Sequence, residues 1–536
     1  MTRDLSRDGV QNRLEHFMLS HFGLVWRGLQ AIPFCERFVN RKLINRAVLK
    51  ARTRPHPWSL LSDFTSWDSL TDRTFTGRHL PPADPNYTHS LPTVADVTQA
   101  FRRATGNGRL SSTSTQLFSH FAQWFTDGFL RTDRNDPRKN TSNHEIDLSP
   151  LYGRTPAITK TLRSFTGGRL KSQWIGGNEF PPYYFDPSGV PHVEFLRDSV
   201  FFPPDLPAER QQSLFAMGVE RANVQFGFVM LNTLFLREHN RICDTFSRTH
   251  PDWDDERLFQ TARNLVIAML IKVVVEEYIN HIAPYHFQFK AQPSAFYQSK
   301  WYRTNWMTLE FNLLYRWHGL VTDTIRVGEQ VIPVEDTFFN NHLLIDRGLG
   351  ACFDDASRYP CGAIGLFNTH HTLVGTEAAS IEHGRKAHLR PYNAYRQYCG
   401  YPSVTRFEQI TGEPERQKVL RDLYGTPDRV EFYVGLFAED VRPGSPLSPL
   451  IGRMVGMDAF SQALTNPLLS EHVFNEQTFS REGWMVWHET SSLSDIVQRN
   501  LQAETRLGKP RVTFGVDRSR SADGNSARDL CVRKKS

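Results

Sequence analysis

Tyr315 and His318 are the two residues of this chain whose types and spacing first point to chemistry. They stand near the end of the segment Glu310–His318, which reads EFNLLYRWH. If this segment is helical, a spacing of three residues places both rings on one face. An imidazole that binds an oxidising metal centre, with a phenol one turn away that can give it an electron, is a radical-forming arrangement. The same pair is also common in ordinary apolar cores, so by itself it leaves both interpretations open.

The composition is that of a globular chain with a large core. Of the 536 residues, 39% are hydrophobic and 22% are charged, which is typical of folded domains. The net charge of +6 is spread along the chain and does not form the basic stripe of a nucleic-acid-binding protein, so we expect no nucleic-acid partner. The six cysteines include no CxxC pair. This argues against a zinc site and a disulfide scaffold, and it fits a reducing compartment.

Targeting signals are not evident in the sequence. The first 17 residues lack the apolar centre of a signal peptide. The longest apolar stretch, 265–275, is interrupted by Lys272 and is too short to cross a bilayer. We therefore expect a cytoplasmic or peripheral membrane protein.

Helical periodicity dominates the chain, and helices must therefore position Tyr315 and His318. Residues 12–50 form basic, aromatic-rich amphipathic patterns, which are typical of helices that lie in one leaflet of a membrane or dock on a core. Further helices are predicted at 111–131, 228–248, 254–282, 300–318, 372–388, 414–424 and 456–464. The predicted fold is mainly α, with N-terminal amphipathic helices at 1–54, one large catalytic domain at 55–505 and a basic, disordered tail at 506–536.

Six segments together resemble the cyclooxygenase (prostaglandin endoperoxide synthase) branch of the animal haem peroxidase superfamily. Fungal linoleate diol synthases and plant α-dioxygenases belong to the same group. The segments are FAQWFT (121–126), IDLSPLYG (146–153), LREHNR (236–241), EEY (276–278), EFNLLYRWH (310–318) and VEFY (430–433) with its following Gly-Leu. They occur in the family's order, and two of them, LREHNR and EFNxLYxWH, are specific motifs. The resemblance implies a haem-peroxidase-type helical domain, and the lack of an epidermal-growth-factor-like module fits a microbial member.

The resemblance implies a haem b cofactor and roles for the residues around it. His318 takes the place of the proximal ligand of the haem iron, and Tyr315 that of the tyrosine whose radical abstracts hydrogen from the substrate. Tyr433 matches the tyrosine that supports the proximal histidine through water. Gln123 matches the distal glutamine, but Asp127 stands where the family has the histidine that performs acid–base chemistry on peroxide.

Asp127 is the main departure from the family pattern. The nearest histidine on the same helix face, His120, lies seven residues earlier and nearly two turns away. A carboxylate beside an open haem face usually ionises and cannot donate a proton unless its pKa is raised. We therefore expect weak or altered peroxidase activity, with oxygenation dependent on added peroxide. The alternative is that Asp127 is a surface or capping residue in a degenerate distal site.

A fatty-acid channel is also implied by the resemblance. Tyr285 matches the tyrosine that, with an arginine, holds the fatty-acid carboxylate. Arg52 is the best match for that arginine, although it also belongs to a basic surface run. The other implied channel residues are Tyr278, Ile279, Phe311, Leu314, Trp317 and Ser461.

The expected function is a haem-dependent dioxygenase that oxygenates unsaturated fatty acids through a tyrosyl radical. Its partners would be an unsaturated fatty acid, molecular oxygen and peroxide. Two alternatives stay open: a haem peroxidase acting on small reductants, and a haem- or lipid-binding protein with a degenerate distal site. The resemblance also allows peripheral membrane contact through residues 12–50 and a homodimer.

Overall fold

Helices make up most of the computed structural model, which describes residues 5–48, 58–104, 106, 108–196, 199–501 and 509–517. In chain order they are α1 (Leu5–Ser20), α2 (Gly23–Gln30), α3 (Pro33–Val48), α4 (Trp67–Thr71), α5 (Pro85–His89), α6 (Val94–Gln99), α7 (Gln116–Thr126), α8 (Ser149–Tyr152), α9 (Pro156–Leu162), α10 (Ala208–Gln212), α11 (Phe226–Thr249), α12 (Asp255–Val273), α13 (Ile279–Ile282), α14 (Leu309–Leu314), α15 (His342–Arg347), α16 (Leu349–Arg358), α17 (Val374–Lys386), α18 (Tyr392–Tyr398), α19 (Pro414–Tyr424), α20 (Phe432–Ala438), α21 (Pro449–Leu464), α22 (Glu476–Glu489) and α23 (Leu493–Asn500).

Strands are short and pair only two by two in the described residues. They are β1 (Trp58–Ser59), β2 (Gly77–Arg78), β3 (Leu110–Thr115), β4 (Gln173–Ile175), β5 (Asn178–Phe180), β6 (Thr324–Val327), β7 (Gln330–Pro333) and β8 (Pro360–Gly362). The antiparallel pairs are β1–β2, β3–β8, β4–β5 and β6–β7. The mainly helical fold predicted from the sequence is therefore confirmed.

The centre of the molecule is built on α11 and α12, and the motif LREHNR on α11 fastens it to distant segments. Glu238 is fully buried and accepts hydrogen bonds from Arg241 on its own helix and from Arg499 on α23. The Tyr152 hydroxyl lies 2.9 Å from Nδ1 of His239. These polar groups are buried but paired, so they tie the long helix to α8 and α23 rather than weakening the core.

The helix after α12 changes its winding at the EEY segment. Residues Val274–Tyr278 form a π turn, after which α13 completes a continuous helix that ends at Ile282. A π turn inserts one extra residue per turn and re-aims the side chains that follow it. By length and composition the helix Asp255–Ile282 could cross a bilayer, but 78% of its most apolar window is buried in the core, which fits a core helix.

The three N-terminal helices lie where amphipathic helices were predicted. The Asn40 side chain on α3 donates to the carbonyl of Lys290, and Trp26 packs edge-on against Phe287. On the opposite side, Leu24 and Phe34 are each 78% exposed. One face is thus docked on the core, while large apolar side chains remain in solvent.

Three sequence predictions differ from the structure. Residues 110–115 form β3 rather than the first turn of a helix, because they pair with β8. Within 300–318, α14 covers only Leu309–Leu314. The predicted disordered tail is wrong for residues 509–517: the amide of Thr115 donates to the carbonyl of Phe514, and that ring is 2% exposed against Phe121 and Tyr278.

Candidate active site

A deep cleft opens between α7 and the segment that follows α14. It holds about 1190 Å³ of empty space, and its walls include Gln123 and Asp127 on one side and Tyr315 and His318 on the other. Helix α7 is held in place because Phe118, Phe121 and Phe125 on its inner face are buried in the core, while Gln123 faces the cleft. The cleft therefore brings together residues that are far apart in sequence and for which the resemblance implied catalytic and cofactor roles.

Tyr315 and His318 share this cleft without sharing a helix. Helix α14 starts at Leu309, where the Thr308 hydroxyl accepts from the amide of Phe311, and it ends at Leu314. Tyr315 then leaves helical geometry, and a short 3-10 turn begins at His318. The expectation that both rings lie on one helix face is wrong; the irregular step after Leu314 turns both side chains toward the cleft.

Stacked aromatic rings fix the position of Tyr315. Its ring lies parallel to that of Trp317 at 4.6 Å between centroids and meets Phe311 edge-on at 4.9 Å. Burial raises its pKa, and the nearby Tyr278 hydroxyl partly offsets this rise. Neither hydroxyl has an aligned hydrogen-bond partner among the described residues, and both hydroxyl oxygens are buried.

Behind His318 lies a carboxylate that the sequence did not single out. Nδ1 of His318 is 3.0 Å from Oε1 of Glu377, whose side chain is 2% exposed. The hydroxyl of Tyr433 donates to the other oxygen of Glu377 at 2.5 Å. Tyr433 therefore reaches the imidazole through a glutamate side chain, where the resemblance implied water.

The wall opposite His318 carries Asp127 at the end of α7, and arginines surround it. Oδ2 of Asp127 accepts from Arg131 at 3.0 Å, and Oδ1 accepts from Arg221 at 2.6 Å. Both oxygens of this carboxylate are thus engaged as acceptors by guanidinium groups. Arg221 itself lines the cleft, and sequence reasoning missed it because it lies in an irregular segment outside the family motifs.

His120 lies outside the cleft. It lines a smaller neighbouring cavity with Phe226, and its ring is 7% exposed. Its Nε2 has no hydrogen-bond partner among the described residues, and burial lowers its pKa to about 4. His120 therefore lines the neighbouring cavity and not the cleft itself.

A second cavity of about 870 Å³ lies between the N-terminal helices and the core. Tyr285 and Ile279 line it, together with Arg442 and Arg453, which the sequence analysis did not identify. Arg442 donates to the Tyr401 hydroxyl at 2.7 Å, while Nε of Arg453 is buried without a partner among the described residues.

The remaining implied channel residues are placed as follows. Tyr278, Phe311, Leu314, Trp317 and Ser461 are all buried. Trp317 lines the cleft, and the Ser461 hydroxyl donates to the carbonyl of Asp458. Arg52 lies outside the described residues.

The residues of the cleft fit a haem group. One wall of the cleft offers the imidazole of His318, and the guanidinium group of Arg316 lines it as well. Haem carries two carboxylates, and guanidinium groups suit such anions. The Arg316 side chain donates to the neutral amide of Asn312 at 2.7 Å.

Comparisons with known proteins agree with this geometry. The family model for animal haem peroxidase matches residues 79–512. Prostaglandin G/H synthase 1 of Mus musculus is 32% identical over 527 residues, which cover 95% of this chain and 83% of that protein. Prostaglandin G/H synthase 2 of Cavia porcellus is 30% identical over 538 residues, covering 96% of this chain and 86% of that protein.

A solved structure shows the same fold. The crystal structure of Oryza sativa fatty acid alpha-dioxygenase superposes with a TM-score of 0.68 at 17% identity, over 90% of this chain and 92% of that one. The likeness covers nearly all of both chains, while the family model runs from the end of β2 to beyond α23. The chain belongs to the animal haem peroxidase family, whose cofactor is haem.

Proposed function

We propose that this protein is a haem-dependent dioxygenase that oxygenates unsaturated fatty acids through a radical on Tyr315. The observation that carries the proposal is the position of this tyrosine. Tyr315 lines the cleft that fits haem. Its hydroxyl lies near that of Tyr278, and the next residue, Ile279, lines the second cavity. Tyr315 thus lines the cleft beside a tyrosine whose own helix also contributes a wall of the second cavity.

The chain holds Tyr315 as a protonated phenol. Haem, when bound, supplies the one-electron oxidising power of this family. Because burial raises the pKa of Tyr315, the phenol keeps its proton at neutral pH. The stacked ring of Trp317 and the edge of Phe311 keep the phenol in one orientation, and this dry surrounding shields the radical from water.

The second cavity supports a fatty acid as the substrate. Its walls combine the apolar side chains of Leu447, Val455 and Phe460 with two guanidinium groups. An apolar space with a few cationic groups suits a hydrocarbon chain that ends in a carboxylate. We propose that Arg442 and Arg453, with Tyr285, contribute to holding that carboxylate, in addition to the role inferred for Arg52.

Peroxidase activity toward small reductants is the second candidate, and Arg221 favours it. A guanidinium group on the wall opposite His318 can donate hydrogen bonds to a bound peroxide and polarise its O–O bond. Asp127, held by two arginines, orients that group.

Oxygen uptake decides between these functions. The haem-loaded protein should consume oxygen with linoleate or arachidonate, with a lag that a trace of lipid hydroperoxide shortens. Tyr315→Phe should abolish uptake while the Soret absorption of bound haem is retained. The matched control is Tyr302→Phe, because the Tyr302 hydroxyl is also buried without a partner among the described residues but does not line the cleft. Normal uptake in Tyr315→Phe would overturn the proposal, and guaiacol oxidation without lipid oxygenation would favour the peroxidase.

Peripheral membrane contact through α1–α3 is a further part of the proposal. Large apolar side chains on these helices are in solvent, among them Leu24, Val25 and Phe34, and basic residues accompany them. Such a surface suits the interface of a bilayer. The full-length protein should float with liposomes, and a variant with Leu24, Val25 and Phe34 changed to serine should stay at the bottom of the gradient. Equal flotation of both proteins would contradict this contact.

A further inference from the structure

Glu377 differs from Asp127 because its carboxylate lies against an imidazole and accepts hydrogen bonds from hydroxyl groups, whereas Asp127 accepts from two guanidinium groups. Glu377 lies on α17, with its side chain 2% exposed, and its Oε1 is 3.0 Å from Nδ1 of His318. Two neutral hydroxyl groups hold it: Thr369 donates to Oε1 at 2.6 Å and Tyr433 donates to Oε2 at 2.5 Å.

The donors around Glu377 define its hydrogen-bonding role. Burial and the neighbouring glutamate both raise the pKa of Tyr433, so the phenol stays protonated and donates. Both oxygens of Glu377 accept hydrogen bonds from hydroxyl groups, so the group serves as an acceptor. A carboxylate oxygen can accept more than one hydrogen bond, so Glu377 can accept from the imidazole as well. Hydroxyl donors stabilise the carboxylate but leave its negative charge uncompensated, whereas a guanidinium donor would compensate it.

We propose that Glu377 is the positioning residue for His318. Its carboxylate accepts a hydrogen bond from the Nδ1–H of His318, which leaves the lone pair of Nε2 free to bind the haem iron. The same hydrogen bond increases electron donation by the imidazole. In the structure the N–H is not aligned with the carboxylate. The proposal therefore includes a small rotation of the imidazole ring when Nε2 binds the haem iron. Carboxylate partners of this kind fix the tautomer of a histidine ligand and raise its basicity.

The physical consequence is a lower reduction potential of the iron. A more basic, partly anionic imidazole stabilises the ferric over the ferrous state, because the higher charge gains more from electron donation. This inference rests on haem binding at His318 and not on fatty-acid oxygenation, so the two proposals can fail separately.

The test is Glu377→Gln, measured by spectroelectrochemistry on the haem-loaded protein. Glutamine is nearly isosteric and its carbonyl still accepts from one hydroxyl, but it removes the negative charge. We expect the ferrous-to-ferric ratio at a fixed potential to rise about tenfold, which is about 59 mV for a one-electron couple. The iron–histidine stretching band of the ferrous protein in resonance Raman spectra should move to lower frequency.

The control is Glu439→Gln, since Glu439 is also buried and accepts from a tyrosine, Tyr392, but not from a histidine. Its potential and Raman band should equal those of the wild type. If Glu377→Gln also leaves both readouts unchanged, the inference is overturned, because a purely structural glutamate would affect folding but not the iron–histidine bond.

A second variant covers the case in which Glu377→Gln fails to fold. Tyr433→Phe keeps the carboxylate and removes one of its donors, so the carboxylate becomes a stronger acceptor for His318. We expect the potential to shift downward and the Raman band to move to higher frequency. An upward shift or no shift would contradict the inference.

Discussion

The two walls of the cleft each carry a carboxylate with opposite surroundings, and the Glu377 side chain is 2% exposed whereas that of Asp127 is 16% exposed. On the His318 side, Glu377 is held by hydroxyl groups and contacts the imidazole. On the opposite side, Asp127 is clamped by Arg131 and Arg221. The first keeps its charge available to His318, the proposed ligand of the haem iron, while the charge of the second is compensated by the two arginines.

This difference shows that the residue type at a motif position does not define its chemistry. An Asp in place of the family histidine suggests a base for peroxide, yet its oxygens are already occupied as acceptors. The guanidinium group of Arg221, which is bound to Asp127, also lines the cleft. It is a hydrogen-bond donor with a permanent positive charge. The distal wall is therefore better suited to polarising a peroxide than to removing its proton.

The largest effect in this comparison is expected for Arg221→Leu. Loss of one preorganised donor to a developing charge typically lowers a rate by about 10²- to 10³-fold. The rate at which hydrogen peroxide changes the Soret absorption of the haem-loaded protein, followed by stopped flow, should fall by that factor. Haem binding itself should be retained, because His318 is unchanged.

Asp127→Asn is the matched variant on the same wall. The amide oxygen still accepts from one of the two arginines, so the rate of the peroxide reaction should stay within about tenfold of the wild type, whereas the loss of a general base would cost about 10²- to 10⁴-fold. If Asp127→Asn reduces the rate as much as Arg221→Leu does, Asp127 acts as the base and the contrast between the two walls is wrong.

Many helices could be predicted from the sequence, because helical periodicity and the residues that start and stop helices are local signals. The predicted helix 414–424 has the observed bounds of α19, since Pro414 starts it and Gly425 follows its end. The end of α14 was not predictable, because no glycine or proline precedes Tyr315 and tertiary packing alone breaks the helix there. Likewise, β3 depends on a partner strand that is distant in sequence.

The contacts that distinguish the two walls could not be predicted from local sequence either, because they too depend on tertiary packing. Glu377 is a glutamate within a polar helix, and only the fold places it behind His318. Arg221 lies before α11 in an irregular segment, 94 residues from Asp127. Charge pairs of such sequence separation leave no periodic pattern, whereas EFNLLYRWH is contiguous and could be matched directly.

The smallest expected effect on the reaction is that of His120→Leu, which tests whether any histidine acts from the distal wall. His120 lines a separate cavity and its Nε2 is buried without a partner among the described residues, so the rate of the peroxide reaction should be unchanged. Removing an unsatisfied buried nitrogen should leave stability at pH 7 equal or higher.

The variant should differ from the wild type in acid. Because burial lowers the pKa of His120 to about 4, the unfolded chain binds more protons than the folded protein between pH 6.5 and 4. The free energy of unfolding therefore falls as the pH is lowered through this range, and His120 accounts for up to about 3 kcal/mol of that fall. Urea titrations at pH 7 and 4.5 should show a smaller loss in His120→Leu. An equal loss in both proteins, or a slower peroxide reaction in the variant, would restore His120 as a candidate for the distal wall.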